Sequence, residues 1–144
     1  MFNLTDTARI RLDRSKIMTQ HEEQLHALED AYTSLALDEA LQALRAHFSG
    51  RIAFSTSLGL EDQVITDAIF RNALDVDVFT LDTGRHFKET YDTLAETVQH
   101  YGKPIRAMYP QTQAIEQYVS VKGINAFYES VEQRKECCFI RKIE

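Results

Sequence analysis

The 144 residues amount to one ordinary domain, and 44% hydrophobic with 26% charged residues excludes a disordered chain. The 16 basic and 22 acidic side chains give a formal net charge of −6, which argues against a nucleic-acid backbone as the main partner but allows a small anion held by local donors. No apolar run approaches the roughly 18 residues of a membrane span, and the polar N-terminus through Gln24 is not signal-like, so the expected compartment is the cytoplasm.

Residues 1–20 carry no sustained period and no motif and read as an N-terminal arm, with residues 21–144 as one domain. From His21, the apolar residues Leu25, Leu28, Tyr32 and Leu35 recur at helical spacing. After Asp38, read as an N-cap, Leu41, Leu44 and Phe48 do so again. Gly50 closes this second helix, and residues 51–55 form a short apolar run of the buried-strand kind. The small-residue loop Ser55-Thr56-Ser57-Leu58-Gly59 leads into a helix that Glu61 and Asp62 open, with Val64, Ile65, Ala68 and Ile69 inward.

A second strand is predicted over residues 75–81, ended by the turn chemistry of Asp82-Thr83-Gly84. A helix follows over 87–101 with Tyr91, Leu94, Ala95 and Val98 inward, and Gly102 ends it. The third strand, 105–109, stops at Pro110; beyond it Ile115, Tyr118 and Val119 share a helical face that ends at Gly123, and a last helix runs through Cys137 and Cys138. The order β-α-β-α-β predicts an α/β fold: a parallel sheet with right-handed crossovers, flanked by helices, with ligands beyond the carboxyl ends of its strands.

Three segments carry candidate chemistry. In Ser55–Gly59, small residues between a strand and a helix let backbone N–H groups approach an anion, although Glu61 and Asp62 sit close enough to repel one. An ordinary capped turn has the same composition. Leu81-Asp82-Thr83-Gly84 projects from the same sheet edge; Gly84 permits a positive φ, and Asp82 and Thr83 offer contacts to a sugar or base. A tight turn reads the same way. The third is the adjacent pair Cys137-Cys138, which suits a disulfide framework poorly; one buried and one exposed structural cysteine, or a solvated basic helix end, reads the same way. Arg134, Lys135, Arg141 and Lys142 surround it, cations that favour thiolates and offset the charge of a soft-metal centre. Two thiols alone close neither a zinc site nor an iron-sulfur cluster, and His21, His26, His47, His86 and His100 are scattered.

Taken in this order, Ser55-Thr56-Ser57-Leu58-Gly59-Leu60-Glu61-Asp62, Leu81-Asp82-Thr83-Gly84 with Glu89-Thr90-Tyr91, and Cys137-Cys138-Phe139-Ile140-Arg141-Lys142 resemble the assimilatory sulfonucleotide reductases. The resemblance spans about residues 51–144 and implies an adenine nucleotide α-hydrolase-like fold related to the ATP pyrophosphatases. It implies that Ser55 to Gly59 contact the phosphosulfate of adenylyl sulfate (APS) and that Leu81 to Gly84 contact its adenosine. Cys137 and Cys138 would supply two of four ligands to a 4Fe-4S cluster, a feature pointing to APS rather than its 3′-phosphorylated relative phosphoadenylyl sulfate (PAPS). Lys142 would link cluster and substrate electrostatically, with Arg141 beside it in the catalytic set.

The implied reaction yields sulfite and AMP through a cysteine S-sulfo intermediate resolved by thioredoxin or a similar dithiol. The family's later Cys-x-x-Cys pair, arginine-bearing loop and C-terminal nucleophilic cysteine do not occur in this sequence, so the chain reads as a fragment inactive by itself. Rival readings are a PAPS reductase, an ATP pyrophosphatase, for which the glycine-rich Ser-Gly-Gly-x-Asp-Ser loop is wanting, and a nucleotide-binding module without a reaction. A homo-oligomer is allowed but not specified.

Overall fold

The structure is a computed structural model that describes Glu22 and residues 26–143. The proposed boundary between arm and domain at residue 20, with His21 and Leu25, lies outside the described residues. The chain divides into two compact units, Met1–Leu44 and Arg45–Glu144.

In the first unit, residues 26–33 form α1, on which Leu28 and Tyr32, one turn apart, are half-buried. Leu35, predicted to share that face, is exposed and past the helix end, where its N–H donates to the Tyr32 carbonyl at 3.1 Å. Helix α2, Leu37–His47, begins in this unit and has no fully buried residue. Asp38 stands in its first turn rather than at the N-cap, favoured there by the helix dipole. Phe48, predicted as part of the helix, lies just beyond it and is exposed.

The second unit holds the sheet. Strands β1 (Ala53–Ser55), β2 (Asp77–Leu81) and β3 (Arg106–Met108) are parallel in the order β1-β2-β3, with Phe54 opposite Val78 and Thr80 opposite Ala107. The central strand buries Val78 and Thr80, while the edge strands β1 and β3 bury no residue fully. Helices α3 (Leu60–Arg71) and α4 (Lys88–Tyr101) provide the two crossovers. They are tied together by Gln63 Nε2 donating to Thr97 Oγ1 at 3.1 Å, by Tyr101 OH donating to Asp67 Oδ1 at 2.7 Å, and by an edge-on Phe70–Tyr101 ring contact. The Tyr101 hydroxyl titrates above its usual range, chiefly because it donates to Asp67.

The inward residues of these helices differ in part from the expected ones. Ala68 and Ile69 are buried as predicted, joined by Thr66 and Phe70, whereas Val64 is exposed; on α4 the buried residue is Thr97, and Tyr91 and Ala95 are exposed. Both threonines give their hydroxyls to the carbonyl four residues back, Thr66 to Asp62 at 2.7 Å and Thr97 to Thr93 at 2.7 Å. With that hydrogen bond made, a threonine buries at little cost.

Beyond β3, α5 (Thr112–Lys122), a short 3-10 turn (Ala126–Tyr128) and α6 (Val131–Lys142) form a second core in which Tyr118, Ala126 and Cys137 are buried against Val119, Phe127 and Ile140. Ser130 caps α6 by accepting from the Gln133 N–H at 3.1 Å, so this helix begins at a fixed residue and its cysteines have a fixed direction.

Candidate functional site

Strand register sets the two predicted loops at different heights on one sheet edge. Ser55 pairs with Phe79, whereas Leu81 pairs with Met108, so the chain leaves β1 two residues short of where it leaves β2.

In the first loop the Thr56 N–H donates to the Phe79 carbonyl at 2.8 Å and the Leu58 N–H to Thr56 Oγ1 at 3.0 Å. The Ser57 N–H and hydroxyl both donate to Asp62 Oδ2, at 2.5 and 2.6 Å, and the Gly59 N–H donates to Ser57 Oγ at 3.3 Å. All four backbone donors from Thr56 to Gly59 are therefore engaged within the protein. The Ser57 hydroxyl, and then its amide, hold the Asp62 carboxyl below the usual carboxylate range. Thr56 is buried, Leu58 and Gly59 are half-buried, and Ser55 and Ser57 are exposed. Leu58 has φ +65°, a left-handed conformation that costs a branched side chain about 1–2 kcal/mol.

The second loop is built around Asp82, which is buried with Thr83 at 8% exposure each. Its backbone N–H continues the sheet by donating to the Met108 carbonyl at 2.8 Å, and its Oδ1 accepts from the Gly84 N–H at 2.8 Å and from Tyr91 OH at 2.9 Å. The bond to Asp82 is the main cause that raises the Tyr91 hydroxyl above its usual pKa. Gly84 takes φ +71°, the conformation for which a glycine was expected here. His86 Nε2 donates to the carbonyl of half-buried Leu81 at 2.9 Å and stands edge-on to Tyr91, which fixes the proton on that nitrogen. Arg85 reaches away from the sheet, donating to the Ile124 carbonyl at 3.0 Å and to Asn125 Oδ1 at 3.2 Å, with its guanidinium 4.4 Å from the Phe127 ring centre.

Helix α6 comes to the same place. Cys137 is buried, at 5% exposure, and Cys138 is exposed. One turn further on, Arg141 donates from Nε to Cys137 Sγ at 3.3 Å and from Nη1 to the Thr83 carbonyl. Lys142 is exposed beside it.

Two cavities open here. One, of 470 Å³, is lined by Thr83, Gly84, Arg85 and His86 from the loop and by Cys137, Cys138, Arg141 and Lys142 from α6, with Phe87, Phe127 and Tyr128 completing it. The other, of 360 Å³, has Tyr109, Pro110, Ile115, Val119 and Ile124 as its largely apolar wall. Thr83, Gly84, Arg85 and Arg141 border both. The arrangement offers a ligand, side by side, a compartment with a largely apolar wall and one with Lys142 and two cysteines, Arg85 and Arg141 being common to both.

Thr83, Gly84, Cys137, Cys138, Arg141 and Lys142 are thus brought together around one cavity, and Asp82 underlies the loop. Ser55 to Gly59 line neither of the two cavities. Arg85 and His86, which sequence reasoning missed, stand on the cavity wall; two basic residues directly after Asp-Thr-Gly were the available signal.

Vicinal residues on a helix point roughly 100° apart, yet Cys137 and Cys138 both line this one cavity. Among the described residues no group of three or more histidine, cysteine or acidic side chains could hold a metal. The pair therefore fits as part of a donor set, not as a whole one.

The model of the phosphoadenosine phosphosulfate reductase domain matches residues 51–144. The chain is 49% identical over 123 residues to the adenosine 5'-phosphosulfate reductase of Sinorhizobium fredii, covering 85% of this chain and 49% of that protein. It is 51% identical over 98 residues to the adenosine 5'-phosphosulfate reductase of Agrobacterium fabrum, covering 68% of this chain and 38% of the relative. The chain spans about half or less of the length of these curated relatives. Its fold is also that of the crystal structure of phosphoadenylyl-sulfate (PAPS) reductase from Candida auris in its phosphate complex, with a TM-score of 0.69 at 21% identity over 84% of this chain and 58% of the other.

Proposed function

Because the chain belongs to the phosphoadenosine phosphosulfate reductase domain family, we propose that it is the nucleotide-binding part of a cytoplasmic APS reductase, with residues 21–144 as the binding domain. The observation that carries this reading is the pair of adjoining cavities at Asp82–Arg85, one with a largely apolar wall and one with Lys142 and two thiols. A nucleotide carrying a phosphosulfate has the same two chemical halves. The adenosine lies against Leu81 to Gly84 and the apolar wall, and the phosphosulfate faces Arg141 and Lys142, which meet it with charge-assisted hydrogen bonds.

Ser55 to Gly59 would join the phosphosulfate contacts by exchanging the internal partners of their N–H groups for the ligand. Cys137 and Cys138 would hold two corners of a 4Fe-4S cluster. When bound, the cluster supplies an anionic soft-metal centre next to the substrate, to which Lys142 responds electrostatically. In the reaction a cysteine thiolate attacks the sulfonyl sulfur, the S–O bond to AMP breaks, and AMP leaves with that electron pair. Thioredoxin or a similar dithiol then reduces the S-sulfocysteine, releasing sulfite as the dithiol becomes a disulfide. The nucleophile is assigned to the part of the relatives' length that this chain does not span.

Calorimetric titration of the chain with APS, PAPS and ATP tests the reading. Binding of APS in preference to the other two is expected, and its loss in Asp82→Ala. Failure of both sulfonucleotides to bind would overturn it; preference for PAPS would move the assignment to the related reductase.

A further inference from the structure

Arg141 makes two contacts that join parts of the molecule far apart in sequence. Its Nε donates to the buried Cys137 Sγ at 3.3 Å, and its Nη1 donates to the Thr83 carbonyl in the loop after β2. Between these ends the guanidinium lies over Gly84, where an added Cβ would stand 3.6 Å from Nη1. It also belongs to the wall between the two cavities. A guanidinium is a rigid planar fork, so the position of one nitrogen dictates that of the others. If Cys137 ceases to accept from Nε, the fork is no longer oriented and its hold on Thr83 weakens.

We propose that Arg141 is a positioning residue that ties the Asp82–Gly84 loop to Cys137, so that the bond accepted by the Cys137 sulfur sets how firmly the loop is held between the cavities. The proposal deepens the reading of this loop as a nucleotide site, but the link is a property of the chain alone. It differs from a purely electrostatic role for the basic residues of α6, because it requires the geometry of one side chain bonded at both ends. Lys142 makes no such bridge, being exposed at the cavity rim.

Amide hydrogen exchange of the 81–86 segment in the full chain reads the link without any nucleotide. Removing the sulfur acceptor in Cys137→Ala is expected to speed exchange at the Gly84 amide about tenfold, the equivalent of one charge-assisted hydrogen bond, and Cys137→Ser, which keeps an acceptor, is expected to restore most of the protection. Cys137 also packs in the core with Tyr118 and Ala126, so packing loss must be separated from the link. In an Arg141→Gln background the link is already cut, and Cys137→Ala should then add little; a packing effect would add in full. Additivity, or equal exchange in the Ala and Ser variants, overturns the proposal. Should Cys137→Ala fail to fold, Arg141→Gln alone must raise loop exchange by a similar factor, and an unchanged loop overturns it.

APS affinity in the same variants keeps the two ideas apart. Loop coupling without APS binding sinks the functional reading and leaves the link standing. APS binding with no loop coupling does the reverse.

Discussion

The loops after β1 and β2 leave the same edge of one parallel sheet, and both are short, hydroxyl-rich and carry a glycine. Their structures part on where the acidic side chain goes. In the first, Asp62 folds back from α3 and takes the Ser57 donors, so the loop is closed by its own carboxylate. In the second, Asp82 points into the turn, holding Gly84 and Tyr91 from beneath, and the outer surface faces two cavities. Similar composition therefore yields one loop that is internally complete and one that is braced from below and open above.

The most severe way to break this contrast is to remove the brace. Asp82→Ala leaves the Gly84 N–H and Tyr91 OH without their acceptor, and since Tyr91 can recover water, a loss of about 2–3 kcal/mol in urea unfolding is expected. The Tyr91 hydroxyl should also fall back toward its usual pKa in a spectrophotometric titration, as its main upward influence is gone. A smaller loss would show that the second loop, like the first, has redundant support.

Gly84→Ala sharpens the comparison at the backbone. A φ of +71° should cost a Cβ-bearing residue about 1–2 kcal/mol, measurable as a shift of the denaturant midpoint at unchanged slope. The first loop already carries such a residue in Leu58, so an intact protein there and a destabilised one here would show that the open loop has no strain to spare.

The smallest effect belongs to Asp62→Asn. The Asp62 carboxyl titrates below the usual carboxylate range because the Ser57 hydroxyl, and then its amide, donate to the charged form. Its contribution is complete at neutral pH and vanishes as pH falls through the lowered folded pKa. Stability of the wild-type chain should exceed that of Asp62→Asn by less than about 1 kcal/mol at pH 7, since the group is partly hydrated, and the two curves should converge on acidification below the ordinary carboxylate range. Parallel curves down to acid pH would mean that the charge of Asp62 does not close the loop.

Local signals made much of the fold legible. The alternation of apolar runs with turn residues locates β1, α3, β2, α4 and β3 in order, and Gly102 and Gly123 follow the helix ends where they were expected. Thr66 and Thr97 escaped because their burial depends on hydroxyl bonds to the preceding helical turn, which apolar periodicity does not register. Leu35, Phe48, Val64 and Ala95 were assigned inward by spacing alone, and spacing cannot say where a helix stops or how a face is rotated. At the site, the turn chemistry of Asp82-Thr83-Gly84 and the basic setting of the cysteines were readable. The partners of Arg85, His86 and Arg141 were not, because each bonds to a backbone carbonyl that only the folded chain brings near.

Adjacent in sequence, Cys137 and Cys138 differ sharply in access to solvent. A thiol reagent meets Cys138 freely in the native protein, whereas Cys137 shows it only the small surface left at the cavity wall. Labelling the two side by side therefore carries an internal standard, the outward site calibrating the reagent and the covered one reporting how much of its sulfur the cavity leaves open. The same asymmetry sets the order of damage in air: oxygen takes the electrons of the outward sulfur first, so a dimer bridged through two Cys138 residues should form before the core is touched.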